Sequence, residues 1–383
     1  MPYISHHTQH SRSTHYVILR ISPDGHNFAP LMLSLVTFFS CCVLLLLCFG
    51  NALRESPSSR KAVASLRVSS TLLYSTSSSG QGGSERTKHN MNSPIGFIGL
   101  GIMGKGMIKN LVTKLDAGTK FQIWNRSPEI CNEIAAAYPG QIEVKENAAD
   151  VVQGCDVTFS MLSTLDASKA VFDSPSGVIA GVSSGKVIVD CATLTPERMK
   201  EQADAIKSKG GLFLEAPVSG SKGPAETGTL IFLCGGDESV FERVKPGLDA
   251  MGKASFFFGD VGQGSRVKLV VNMIMGTMMS AFSEGLALGD AAGLPNDKIL
   301  EVLSLGAMNN PMFNLKGPKM INGDYAPNFP LKHQQKDMRF ALELASQLGV
   351  SLPTSDAANN EYLKVMDKAG DEDFSAIYTN HKK

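Results

Sequence analysis

The segment IGFIGLGIMGKGMIKNLVTKLDAG, beginning at Ile95, constrains the fold of this chain more than any other: a short apolar strand, then Gly99-x-Gly101-x-x-Gly104, then a helical stretch closed by Gly118. In that order each glycine has a task. Gly99 permits a tight turn, Gly101 lets backbone N–H groups approach a pyrophosphate, and Gly104 allows close helix packing, with the helix N-terminus facing the negative charge. Residues Gly99, Leu100, Gly101, Ile102, Met103 and Gly104 are therefore read as a dinucleotide-binding loop. The second strand, Phe121 to Trp124, ends in Asn125-Arg126, where an NAD-specific site would carry Asp or Glu. A guanidinium there suits a 2′-phosphate, so NADP(H) is the expected cofactor; a solvated surface charge is the plainer reading of Arg126.

Strand and helix continue to alternate. Asp156 to Leu162 and Lys186 to Cys191 each precede a helical segment, the pattern of a doubly wound parallel sheet, an α/β Rossmann domain. Leu162, Ser163 and Thr193 then fall at the carboxyl edge of the sheet, where ligands bind, although Thr193 could equally cap the helix beginning near Pro196. The stretch EAPVSGSKGPAETGTL, Glu215 to Leu230, reads as strand, Gly-rich turn and strand. Its Ser219-Gly220-Ser221 offers hydroxyls and free N–H groups to a substrate carboxylate, or is simply a turn. Gly262-Gln263-Gly264 next opens a long segment, apolar nearly all round, that reads as a buried helix. Its uncharged part lies too close to Lys268 and Glu284 to span a bilayer. Lys268 and Asn272, four apart, share one face. An ammonium inside such a helix is costly unless paired or used, which makes Lys268 the foremost catalytic candidate.

Composition removes other chemistries. Lys plus Arg and Asp plus Glu both number 36, so there is no net basic charge to hold a nucleic acid, and a small substrate is expected. Cys131, Cys155, Cys191 and Cys234 are scattered without a C-x-x-C pair, which indicates neither a disulfide framework nor a zinc site; Cys191 is read as a buried inert thiol. Between Asn90 and Asn380 the only histidine is His333, so a His-based dehydrogenase or a Ser-His-Asp triad has almost no raw material. A Tyr-x-x-x-Lys pair occurs only as Tyr378 to Lys382, at a C-terminus expected to fray.

Residues 1–92 are expected to lie outside the catalytic fold. Leu31 to Cys48 carries no charge, and Asn51 to about Gly83 is rich in Ser, with Arg54, Arg60, Lys61, Arg67 and a single acidic residue, Glu55. An apolar signal or anchor over 31–50 followed by a transit-like segment over 51–92 suggests a plastid, with a mitochondrion or retention as a membrane anchor as alternatives. Met32 is a second candidate start.

Four motifs in this order, the Gly-rich loop, EAPVSG, Gly-x-Gly-x-x-x-Lys-x-x-x-Asn and FPLKHQQKDM at Phe329 to Met338, resemble the β-hydroxyacid dehydrogenases, and among them the glyoxylate/succinic semialdehyde reductases. The resemblance implies a Rossmann domain over 93–260 and an all-α domain of the 6-phosphogluconate dehydrogenase-like type over 261–383, with a cleft between them. It implies Lys268 as the catalytic acid, Asn272 beside it, and Ser219, Gly220 and Ser221 on the substrate carboxylate. Thr193 and Lys336 would contact the cofactor, and Phe329 and Asp337 would line the substrate site. Where many members read Ser-Gly-Gly, this chain has Ser219-Gly220-Ser221, which fits the glyoxylate-reductase branch. The expected reaction is NADPH-linked reduction of a small aldehyde acid, without a metal, in a homo-oligomer joined through the long helix. The rivals are an NAD-linked 3-hydroxyisobutyrate dehydrogenase and an inactive nucleotide-binding scaffold.

Overall fold

The strands β1 (Ile95–Ile98), β4 (Val157–Ser160) and β5 (Val187–Asp190) are buried at every residue, as central strands of a parallel sheet covered on both faces must be. With β2 (Phe121–Trp124), β3 (Ile142–Val144) and β6 (Leu212–Glu215) they form a parallel sheet in the order β3-β2-β1-β4-β5-β6, which reverses direction between β1 and β4. This reversal is the switch point at which such sheets take ligands. The structure is a computed structural model describing Met91 and residues 94–381; the expected signal and transit segments and the Met32 start lie outside the described residues.

Six helices alternate with these strands: α1 (Ile102–Lys114), α2 (Pro128–Ala137), α3 (Ala148–Gly154), α4 (Leu165–Phe172), α5 (Val178–Gly181) and α6 (Pro196–Ser208). Beyond β6 the sheet gains β7 (Val218–Ser219), β8 (Leu230–Gly236) and β9 (Gly252–Phe257); β8 runs antiparallel to β6 and β7 and parallel to β9. The Gly-rich turn expected after Ser219 contains a short helix, α7 (Lys222–Thr227), closed by Gly228 at φ 66°. It forms because it has α1 to pack on: Asn110 donates from Nδ2 to the Ala225 carbonyl at 2.8 Å, and a side chain at Gly106 would collide with the Ala225 backbone. After β8, α8 (Glu238–Met251) returns the chain to β9.

Two residues expected at the margins are part of the packed fold. Met91, assigned to the leader, is buried in the same apolar cluster as Phe97, Phe159 and Leu248, and its Cε would lie 2.7 Å from a Cβ at Gly247. A thioether fitted over a glycine is core packing, so the fold begins by Met91. At the other end, Tyr378 is not frayed: it sits in a 3₁₀ turn, Phe374–Asn380, 1% exposed, and donates from its hydroxyl to Asp290 Oδ2 at 2.6 Å.

The second layer is helical: α9 (Gln263–Ala291), α10 (Asn296–Leu305), α11 (Pro311–Asn322), α12 (Leu331–Gln347) and α13 (Pro353–Ala369). Its core joins Met279, Phe282 and Leu286 of α9 to Phe313, Tyr362, Phe374 and Ile377. The sequence suggested α9 was buried all round, and this is corrected. Lys268, Asn272, Gly276, Met279, Ser283 and Leu286 form the buried stripe, while Val270, Ile274 and Leu288 are 49%, 49% and 72% exposed. By length and composition alone α9 also qualifies as a membrane span, against the expectation drawn from Lys268 and Glu284. Its polar bonds are those of a helix inside a bundle: Tyr362 donates to the Gly276 carbonyl at 3.1 Å and Gln334 Nε2 to the Asn272 carbonyl at 2.9 Å.

Candidate active site

The turn from β1 into α1 fits the phosphates of a dinucleotide. Gly99 has φ 93°, and a Cβ there would meet the Met161 carbonyl at 2.4 Å, so the turn is closed to side chains. A Cβ on Gly101 would meet nothing within 4 Å, because that position faces open space, and one on Gly104 would strike the Gly99 carbonyl at 2.0 Å. Helix α1 has neither a side-chain cap nor an acidic residue in its first turn, leaving its first N–H groups and dipole for an anion. Leu100 is spoken for: it is buried, and its N–H donates to Asn125 Oδ1 at 3.0 Å. Asn125 therefore shapes the loop, while Arg126 beside it is exposed at the end of β2.

A cavity of about 290 Å³ lies against this loop. Gly101, Ile102, Met103 and Gly104 form one wall; Met161, Leu162, Ser163 and Thr193 form the sheet edge; Asn328, Phe329, Pro330, His333, Lys336 and Asp337 come from the helical layer. Thr193 is not the cap of α6, because Thr195 holds that position and accepts from the Arg198 amide. The Thr193 carbonyl instead accepts from Lys336 Nζ at 2.6 Å, a bond that ties the two layers across the cleft.

From Lys336 and Asp337 in the cavity wall a buried polar chain leads to Asn272 and Lys268, neither of which borders the cavity. Lys268 Nζ donates to Asn272 Oδ1 at 2.9 Å, Asn272 Nδ2 donates to Asp337 Oδ2 at 2.6 Å, and Asp337 Oδ1 pairs with Lys336 Nζ at 2.8 Å. Lys268 is 5% exposed. Burial holds its ammonium down to about 8 from the ordinary 10.5; the Asp337 carboxylate opposes the shift and the Lys336 charge adds to it. An amine poised there can exist in either form near neutral pH, the property a general acid needs. His333, one turn before Lys336 on the same helix face, is pushed down to about 4, mainly by burial and then by Lys336, so it presents a neutral imidazole.

Helix α9 is anchored by a residue whose role the sequence did not disclose. Glu215, at the end of β6, accepts from the N–H groups of Gly262, Gly264 and Ser265 and from Ser265 Oγ, at 2.6, 2.8, 3.3 and 2.6 Å. Gly262 makes this possible by adopting φ 99° at the helix start. Ser219, Gly220 and Ser221 do not border the 290 Å³ cavity. Ser219 ends β7, Gly220 has φ 130°, and Ser221 stands at the start of α7 with its hydroxyl not used as a cap; the next amide, Lys222, donates to the Asn328 carbonyl at 3.4 Å. Ser219, Gly220 and Ser221 thus stand outside the cavity wall, linked to it through the Lys222 amide and Asn328. Cys191 is fully buried with its thiol raised well above the ordinary range by burial.

The model of the NAD-binding domain of 6-phosphogluconate dehydrogenase matches residues 94–260, and that of the NAD-binding domain of NADP-dependent 3-hydroxyisobutyrate dehydrogenase matches 262–380. The chain is 48% identical over 284 residues, 74% of its length and 96% of the relative's, to glyoxylate/succinic semialdehyde reductase 1 of Arabidopsis thaliana. The chain belongs to the β-hydroxyacid dehydrogenase family. A second relative of this β-hydroxyacid dehydrogenase is the chloroplastic glyoxylate/succinic semialdehyde reductase 2 of the same plant, 45% identical over 80% of this chain and 84% of the relative. Among solved structures, Mycobacterium tuberculosis 3-hydroxyisobutyrate dehydrogenase with L-serine overlays with a TM-score of 0.68, 28% identity, 76% of this chain and 100% of that one. As a family member the protein is an oxidoreductase that uses a nicotinamide cofactor. Met161, Asn328, Pro330 and His333 complete the cavity and were not singled out as site residues. Asn328 and Pro330 flank Phe329, and His333 precedes Lys336 by three, spacing that could have found them.

Proposed function

We propose that this protein reduces small aldehyde acids with NADPH, glyoxylate to glycolate and succinic semialdehyde to 4-hydroxybutyrate, with Lys268 as general acid. The observation that carries the reading is the buried Lys268–Asn272–Asp337–Lys336 chain, which enters at Asp337 and Lys336 the wall of a cavity that Gly101 to Gly104 also border. A reduced nicotinamide bound along that loop would supply hydride to the aldehyde carbon. As negative charge grows on the carbonyl oxygen, the Lys268 ammonium stabilises it and gives up its proton. Asn272 orients the amine, and Asp337 holds Asn272 and balances the charge. Phe329 and Pro330 exclude water from the cavity, while Ser219, Gly220 and Ser221 hold the carboxylate. Support for the substrate class comes from the two plant relatives named for these aldehydes. The test is cofactor oxidation with glyoxylate, succinic semialdehyde and methylmalonate semialdehyde. Turnover of the first two with NADPH is expected, whereas NADH-linked turnover of the branched aldehyde alone would move the protein to the 3-hydroxyisobutyrate branch.

Arg126 is the proposed contact for the 2′-phosphate, with Asn125, Leu162, Ser163, Thr193 and Lys336 around the rest of the cofactor. A charge-assisted contact to phosphate is worth about 1.5–3 kcal/mol, so Arg126→Ala should weaken NADPH binding roughly 10- to 100-fold and leave NADH unchanged. Equal affinities before and after the change would return Arg126 to a solvated surface charge.

The bare side of α9 exposes Val270, Ile274 and Leu288, and Leu305 of α10 and Leu315 of α11 are 83% and 52% exposed, large apolar side chains that the described residues leave without cover. We propose that a second copy of this chain covers them. Ile274→Asp should shift the mass measured by light scattering from dimer or larger toward monomer, and a wild-type protein already monomeric would refute the proposal.

A further inference from the structure

The wall carrying Asn328 and Phe329 is held by a residue far along the chain, at Asp373. This carboxylate is 1% exposed and accepts at Oδ2 from the backbone N–H groups of Asn328 and Phe329, at 3.0 and 3.2 Å. Its other oxygen accepts from the Ser375 amide and hydroxyl, at 3.2 and 2.8 Å, and Lys316 Nζ of α11 donates to both oxygens at 2.7 Å. Lys316 is itself 3% exposed. The neighbouring backbone follows: the Phe374 amide donates to the Phe329 carbonyl and the Leu331 amide to the Glu372 carbonyl, at 2.9 and 2.8 Å. The Phe329 and Phe374 rings meet edge to face at 5.8 Å.

A buried ion pair is weak evidence of stabilisation, because an apolar pair of similar volume often does as well. Here, however, the carboxylate does something an apolar pair would not. Two successive N–H groups in an irregular stretch, without a helix or sheet ladder to satisfy them, converge on one oxygen. That fixes the peptide plane between Asn328 and Phe329, and with it the direction in which the Phe329 ring enters the cavity.

We propose that Asp373 is a positioning residue for the reaction, setting the substrate-facing wall through the Asn328 and Phe329 amides, with Lys316 balancing its charge. The inference rests on the reductase reading of the cavity. It also implies that the C-terminal 3₁₀ segment is part of the active-site architecture although none of its side chains borders the cavity.

Three variants separate positioning from stability. Lys316→Met removes the ion pair and leaves the four N–H and O–H donors on Asp373; it should lower the melting temperature and keep aldehyde kcat/KM near wild type. Lys316→Met with Asp373→Ala removes the acceptor as well, and kcat/KM should fall on the order of 10²-fold, the effect of displacing a substrate-positioning group by about 1 Å. Lys316→Met with Asp373→Asn restores one carbonyl oxygen for the two amides and should recover most of that loss. Hydrogen exchange at the Asn328 and Phe329 amides should quicken in the alanine variant alone, a readout that does not depend on which substrate is used. Activity that tracks melting temperature across the three variants, or unchanged exchange at those two amides, would overturn the proposal. A wild-type protein inert toward every aldehyde acid would instead overturn the reductase reading, and the exchange data would still decide whether Asp373 holds the wall.

Discussion

Lys268→Ala should lower kcat by about 10³-fold while leaving NADPH binding unchanged, since removing a general acid that also stabilises developing charge typically costs 10²- to 10⁴-fold. The ammonium's hydrogen bond is to Asn272 rather than to the Gly99–Gly104 loop, which is why cofactor affinity should not follow activity down. The same residue should show the opposite effect on stability. Its folded value of about 8 lies below the ordinary 10.5, so the unfolded chain binds the proton more tightly and stability rises with pH between those two values. Below about pH 8 the penalty is fully present, on the order of 3 kcal/mol by the size of the shift. Lys268→Met should therefore be more resistant to urea than wild type at pH 7 and should lack the rise in stability from pH 8 to 10.5. Loss of activity together with loss of stability at neutral pH would argue that the lysine is a structural member of the helix.

Glu215→Ala should be the most destabilising single change in the sheet domain, by about 3–5 kcal/mol, because it strands three buried N–H groups and a hydroxyl at the start of α9. Activity should fall with it, as Lys268 lies little more than one turn beyond Gly264. The pH dependence has a definite sign. Burial raises the Glu215 carboxyl from 4.5 to about 7 against the pull of its four donors, so its contribution to stability is full below about pH 4.5 and is lost as pH rises through 7. The gap between wild type and Glu215→Ala should therefore be wider at pH 6 than at pH 8.5. A gap that widens toward alkaline pH would mean the carboxylate is held ionised, with its donors outweighing desolvation.

Much of this was legible in the sequence because the signals are local. The strands VIVD and IGFI are largely apolar at both faces, Gly99 and Gly104 leave no room for a side chain, and Lys268 and Asn272 meet because helix residues four apart do. What escaped is nonlocal. Glu215 finds its donors 47 to 50 residues later, and Asp373 finds Asn328 about as far back, distances over which no periodicity speaks. The bare side of α9 escaped for another reason: apolar residues show that a surface wants cover, and not whether the chain itself provides it. Helix α7 was missed because its stability comes from α1 rather than from its own Gly- and Pro-containing sequence.

The most direct test of the central claim is the rate of a single turnover of NADPH with saturating glyoxylate, followed from pH 6 to 10 in the wild type and in Lys268→Met. The wild-type rate should fall as pH rises through the ionisation of Lys268, and the variant should be slow with no such step. A variant turning over within about tenfold of wild type, less than a general acid contributes, or a wild-type profile without that step, would mean that the proton comes from elsewhere.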